Sequence, residues 1–256
     1  MAKSVQLMLL LYFIASILVV FSISTIFYQY IAALGSLDRV LAAFGNDRIL
    51  TALWLSISSA FVTVIFAILL GVPLAYVFAT TDFPAKSIIE TLTIDIPQTF
   101  PPIAEGLIFL IMFGPGSPIN IAFTFSALVI SKLFIAGPFT VSFVARRFRE
   151  IKKTGANLTA RSLGANQFQV FTTIYLPLSV KDIAAGSALC WSRAMGELGG
   201  SLLFAGVIPG VTETLPTFIA TQANTLTAAA LAATILGTTA STIALVSFKK
   251  ISEGEK

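Results

Sequence analysis

Histidine is missing from all 256 residues, and cysteine occurs once, at Cys190. Without histidine the chain cannot build a His-ligated metal site or a Ser–His nucleophile pair, and a single thiol cannot build a Cys-rich zinc site. Nor can one thiol close a disulfide within the chain, so cysteine usage says nothing of the redox compartment. Cys190 stands in an apolar stretch and reads as a small buried hydrophobe. No Gly-x-x-x-x-Gly-Lys-Ser/Thr phosphate loop occurs, which excludes ATP hydrolysis by that route. Charge is scarce as well. Only 11% of residues are charged and 56% are hydrophobic, whereas a soluble domain carries about 25% charged residues. So little polar surface cannot cover a soluble fold of this size, and the excess apolar area must face lipid.

What remains is a chain of apolar runs. No charge occurs from Ser4 to Leu37, from Ile49 to Thr81 or from Thr214 to Phe248. Each run exceeds the roughly 20 residues that a helix needs to cross the hydrocarbon core. Ile96 to Ala145 is interrupted only by Glu105 and Lys132, and Ile183 to Thr212 only by Arg193 and Glu197. The turn signals of Phe113-Gly114-Pro115-Gly116-Ser117-Pro118 divide the first of these into two helices. The reading is an all-α polytopic membrane protein, a single domain over 1–256, with about six spans near 5–30, 51–80, 97–113, 121–146, 180–206 and 225–248. The first run lacks a cleavage-site pattern and is expected to remain as a helix.

Lys and Arg set the orientation. With the N-terminus inside, one side holds Lys3, Lys86, Arg146, Arg147, Arg149, Lys152, Lys153, Arg161, Lys181, Lys249, Lys250 and Lys256, and the other only Arg39 and Arg48. Both termini are therefore expected in the cytoplasm of a multi-pass plasma or inner membrane protein. The net charge of +4 is accounted for by this bias, and no nucleic-acid partner is implied.

One cytoplasmic connection, Arg146 to Asp182, is long enough to fold. Its basic opening, Arg146 to Lys153, suits anionic lipid or a partner. Asn157 is a candidate N-cap for a short helix closed by Gly164. Asn166 is a candidate cap for a second, with Phe168, Phe171 and Tyr175 at helical spacing before Pro177. Apolar residues on such a knob need a surface to bury against. The glycosylation pattern at Asn157-Leu158-Thr159 is discounted because it falls on the cytoplasmic side.

Ala160-Arg161-Ser162-Leu163-Gly164, nine residues, then Ile174-Tyr175-Leu176-Pro177 resembles the signature loop of permeases in binding-protein-dependent ABC importers. The departure is at the start, where Leu158 and Thr159 replace the family's Glu and first Ala. Gly71 to Tyr76, Ile96 to Pro102, Trp191 to Gly200 and Phe204 to Pro216 resemble other stretches of the same permeases. The last two point to the molybdate/tungstate branch, with sulfate/thiosulfate permeases as relatives. The resemblance implies a coupling helix between the fourth and fifth spans (loop about 147–180), with Ala160, Gly164, Ile174, Leu176 and Pro177 as its signature residues. It also implies partners: two ATP-binding-cassette ATPase subunits carrying Mg-ATP, a second copy of this chain, and an extracytoplasmic substrate-binding protein, all set in lipid. No cofactor is expected on this chain, which would be no enzyme itself.

Charges inside the spans are expensive and mark function or packing. Arg193 and Glu197, at i,i+4, can share a helix face as an internal ion pair, or Arg193 can offer positive potential to a passing oxyanion. Lys132 can snorkel, pair with Glu105 or line a path, with the pairing favoured over the lining role. Gly196 and Gly200 form a small-xxx-small pair suited to packing within the subunit or to a dimer seam. Pro97, Pro101 and Pro102 are expected to start the third helix from a non-helical segment, and Gly71 with Pro73 to kink the second. Two other classes compete with a permease. An intramembrane enzyme would need paired acidic residues on adjacent helices, and none stands out. A membrane scaffold without a conduction path would support no solute uptake.

Overall fold

Apolar runs become helices because only a helix satisfies its own backbone in lipid. The computed structural model describes residues 2–35, 37–222 and 228–253, and among them no strand occurs. The order is α1 (Ala2–Leu34), α2 (Leu37–Phe44), α3 (Asp47–Thr80), α4 (Lys86–Glu90), α5 (Ile96–Thr99), α6 (Pro102–Phe113), α7 (Phe125–Lys153), α8 (Ala156–Ser162), α9 (Gln167–Val170), α10 (Leu176–Leu178), α11 (Val180–Met195), α12 (Gly199–Leu203), α13 (Leu215–Gln222) and α14 (Ala228–Glu253). Local chemistry starts the long ones: Asn46 accepts from Arg48 N ahead of α3, and Thr124 accepts from Ala127 N ahead of α7.

Among the described residues four helices are long and apolar enough to cross a membrane: Gln6–Leu34, Asp47–Thr80, Phe125–Lys153 and Ala228–Ser247. A fifth candidate is the pair Lys86–Thr99 and Pro102–Phe113, bent by 115°. The expected 97–113 helix therefore begins earlier and breaks. Helix runs through Pro97 because a wide π turn, Thr91–Asp95, precedes it, with Ile96 N donating to Thr91 O. A widened turn relieves the clash between a proline ring and the carbonyl behind it. The break falls at Phe100 and Pro101, both extended, and α6 starts at Pro102. The same device, Phe171–Tyr175, precedes Pro177. The expected 180–206 span also divides. α11 has 16 residues, fewer than the roughly 20 of a full crossing, and stops at Gly196 before α12. Residues 225–227 of the last expected span, and Lys256, lie outside the described residues.

α7 is the central pillar, packed along α3 and α11, while α11 also meets α14. Small side chains permit this. Ala60, Ala67, Ala136, Ala194 and the buried, free Cys190 form one core cluster. α1 stands apart, joined to α14 by hydrogen bonds of Gln29 to Thr238 and Tyr30 to Thr239. α12 is wedged against α6 and α7 with no room to spare. A Cβ on Gly200 would lie 2.4 Å from Ser131 Oγ, and one on Gly199 would lie 2.0 Å from the Pro102 carbonyl oxygen.

Gly200→Val is therefore expected to destabilise the bundle by about 1–3 kcal/mol, as overpacking does. The measurement is the thermal unfolding midpoint of the detergent-purified protein. An unchanged midpoint would show that α12 is not clamped.

Candidate functional site

The knob follows α7 directly. Thr154 and Gly155 turn the chain, with Gly155 at φ +77°, and α8 ends before Gly164 at φ +94°. Both positions lie in the left-handed region that favours glycine. The expected cap at Asn166 is present as a reciprocal box: Gln169 N donates to Asn166 Oδ1 at 2.9 Å and Asn166 N to Gln169 Oε1 at 2.8 Å. Asn157 is not a cap. The left-handed Gly155 takes that position, and Asn157 falls inside α8 with Oδ1 buried and unpartnered.

Three of the five signature residues serve the knob's interior. Ala160, Ile174 and Leu176 pack on a core built around Phe148 and Tyr175. Tyr76 meets the Tyr175, Phe171 and Phe148 rings at 5.1, 4.9 and 6.0 Å. Pro177 is exposed. The side chains that point away are Leu158, Leu163 and Phe168, 64%, 84% and 74% exposed. They form the knob's outward apolar surface, and sequence reasoning did not separate them from the signature. The available signal was that Leu163 and Phe168 are apolar at positions the motif leaves free, and that Leu158 is apolar where the family has Glu.

The basic end of α7 is largely paired within the chain. Arg149 meets Glu90 at 2.8 Å, Arg147 meets Glu150 at 3.2 Å and Asp182 at 3.5 Å, and Lys152 meets Asp82 at 3.9 Å. A hydrogen bond from Lys86, with its charge and that of Lys152, holds the Asp82 carboxyl below the usual carboxylate range. The cluster thus ties the knob's root to the segment after α3, leaving Arg146 over the Phe143 ring at 5.0 Å.

Inside the bundle the structure rearranges the expected pairs. Arg193 and Glu197 form no ion pair, because α11 ends at Met195 and the i,i+4 register is lost. Glu197 turns instead to the N-terminus of α12, accepting from Gly200 N at 2.8 Å, Ser201 N at 3.1 Å and the Ser201 hydroxyl. A carboxylate there satisfies orphan amides and complements the helix dipole. Lys132 does not pair with Glu105 or snorkel. It is fully buried and donates to Ser59 Oγ at 2.7 Å and to the Ser56 carbonyl at 3.5 Å. Glu105 is buried with neither oxygen hydrogen-bonded. A pair not foreseen joins Arg48 to the buried Glu213 through two 2.7 Å contacts, fixing the segment before α13 to the start of α3.

A cavity of about 980 Å³ opens between α1, α11, α13 and α14. Thr25, Gln29, Ser192, Thr234, Thr238 and Thr242 give its apolar wall scattered hydroxyl and amide groups, and among the described residues no charged side chain lines it. Gly196 stands on this wall, where a Cβ would meet only the Arg193 and Ser192 carbonyl oxygens at 3.9 and 4.0 Å, so the two glycines separate: Gly200 packs internally and Gly196 faces the cavity. Arg193, next to Ser192 in the chain, is half-buried and does not line the cavity.

Known proteins resemble this chain in sequence and in fold. Residues 67–253 match the family described as "Binding-protein-dependent transport system inner membrane component". The molybdate/tungstate transport system permease protein WtpB of Thermococcus kodakarensis is 31% identical over 168 residues, 66% of either chain and so just under two thirds. The molybdenum transport system permease protein ModB of Mycobacterium tuberculosis is 34% identical over 197 residues, 73% of either chain. The sulfate transport system permease protein CysW of Synechococcus elongatus is 29% identical over 184 residues, 68% of this chain and 64% of the relative. Among solved structures, a bacterial ABC transporter for import of the polysaccharide alginate superposes with a TM-score of 0.77, covering 99% of this chain and 98% of that one at 14% identity. The methionine ABC transporter MetNI gives 0.61, with 80% and 95% covered at 16% identity. At such identities the likeness is one of fold. With a family match over most of its length and that fold, the chain belongs to the binding-protein-dependent transport system inner membrane components.

Proposed function

We propose that this chain is the permease subunit of an ABC importer for molybdate or tungstate, with sulfate the alternative. The observation that carries the reading is the knob: Ala160, Ile174 and Leu176 folded inward and three large apolar side chains presented outward on a membrane protein with no phosphate loop. Such a surface fits a groove on a separate ATPase, where Mg-ATP would bind. The relatives named for molybdate and tungstate favour that substrate. Neither competing class gains support: Glu197 is committed to the amides that open α12, and the family is one of transport.

In this reading six crossings are made by α1, α3, the bent α4–α6 unit, α7, the broken α11–α12 unit and α14. Both termini and the knob then lie in the cytoplasm. Two copies surround one path, two ATPase subunits bind the knobs, and a binding protein delivers the oxyanion from outside. The path uses the hydroxyl-bearing wall near Gly196. Neutral donors attract an anion without holding it, which conduction requires.

Two outcomes are expected. Leu163→Asp with Phe168→Asp should weaken assembly with the ATPase at least about tenfold, the effect of losing an apolar anchor at an interface, while leaving the permease folded. Co-purification and molybdate uptake in proteoliposomes read this, and intact assembly with intact uptake would remove the knob from coupling. For topology, the native thiol is buried, so an introduced cysteine reports cleanly. Leu163→Cys should react with a membrane-impermeant maleimide only in inside-out vesicles, and Ser117→Cys only in right-side-out vesicles. The reverse pattern would invert the orientation.

A further inference from the structure

Three polar side chains of the knob line one small space, and the fold itself gives them nothing to bind. The space lies where the end of α3 meets α8 and α9, and its walls are Tyr76, Thr80, Asn157, Arg161, Gln167 and Val170. Thr80 is committed, its hydroxyl donating to the Tyr76 carbonyl at 2.7 Å. Among the described residues the side chains of Asn157, Arg161 and Gln167 make no hydrogen bond, and Arg161 has no ion pair. Asn157 Oδ1 is buried without a donor, which a polar group tolerates poorly.

Their placement is fixed by the local fold. Asn157 and Arg161 stand four residues apart on α8, and so share a face. Gln167 opens α9, which the Asn166–Gln169 box holds in place. The two helices have only seven and four residues and are separated by the left-handed Gly164. The space thus has one wall on each helix and a third on α3.

Size and charge narrow what can enter. The volume is about 60 Å³, whereas one water needs roughly 10–15 Å³. A small cluster of waters fits, or one compact polyatomic ion in its stead. Arg161 is the one charged side chain among the described residues of the lining, and no carboxylate stands with it. An anion is therefore favoured. The planar guanidinium fork matches two oxygens of a tetrahedral oxyanion, and the Gln167 amide offers further N–H donors. An Asn amide has nearly the same shape turned over, so with an anion present the Asn157 NH2 faces it. A monatomic anion has no separate oxygens to meet donors on two helices.

We infer that this space is a binding site for a small inorganic oxyanion, held by Arg161 and Asn157 of α8 and Gln167 of α9. The bound ion ties the two short helices together across Gly164 and fixes the angle at which Leu163 and Phe168 are presented. Free phosphate and the transported oxyanion share the chemistry that is recognised. The consequence for coupling rests on the permease reading given above, whereas the site does not.

The test is isothermal titration calorimetry of the full chain in detergent with phosphate, molybdate and sulfate in turn, at constant ionic strength. One ion per chain is expected to bind saturably. Arg161→Gln should weaken that binding at least about tenfold, the loss of a hydrogen bond to a charged group, and Gln167→Ala about threefold, the loss of a neutral one. Amide hydrogen exchange in α8 and α9 should slow when the ion is added to the wild type and stay unchanged in Arg161→Gln. Phosphate binding more tightly than molybdate would name free phosphate as the occupant, and the reverse order the transported ion; either order supports the site. No saturable heat with any of the three ions, or binding that Arg161→Gln leaves at wild-type strength, would overturn it. Arg161 is exposed, so the variant is expected to fold; should it not, Gln167→Ala decides by the same criterion. These titrations do not depend on transport. A reconstituted wild-type complex that moves neither molybdate, tungstate nor sulfate refutes the proposed function and leaves the binding result standing.

Discussion

The Glu197 carboxylate at the head of α12 is the interaction on which the interior depends. A helix that stops inside an apolar interior leaves amides without partners, and apolar side chains supply none. Glu197 meets that need with its own side chain, taking the amides of Gly200 and Ser201. Once the end is satisfied, α11 can stop short and α12 can turn into the bundle against α6 and α7. The glycines are then required: Gly199 and Gly200 admit the Pro102 carbonyl and the Ser131 side chain at distances where a methyl group would collide. The same commitment leaves Arg193 without the acid four residues on and places Gly196 on the cavity wall.

Much of this was legible in the amino-acid order. Uncharged runs marked the helices because burying unpaired charge in lipid is costly, and Asn166 announced its cap because its side chain and that of Gln169 serve each other's amides. Other features were not legible. The i,i+4 spacing of Arg193 and Glu197 promised a pair only while the helix continued, and Gly196 ends it. Lys132 found a serine hydroxyl on α3, some seventy residues away in the chain, because α3 and α7 pack face to face. No local pattern carries that information. Pro97 was read as a helix start because a ring excludes a regular turn, but a widened turn lets the helix pass.

The knob divides labour between two sets of residues. Those that define the signature hold the aromatic core around Tyr175 and give the loop its shape. Those that face outward, Leu158, Leu163 and Phe168, are free of that duty. The loop can therefore keep one architecture while its outward surface varies, as Leu158 in place of an acidic residue illustrates.

α1 is joined to the rest of the chain by few contacts, and it is long. The apolar stretch Gln6–Leu34 has 29 residues, about 43 Å at 1.5 Å per residue. The hydrocarbon layer is about 30 Å thick, and an over-long helix settles by tilting. Because α1 forms one side of the cavity, its inclination sets how far that side stands from α11 and α14. Membrane thickness, a property of the lipid and of no residue, thereby acts as a dimension of that cavity.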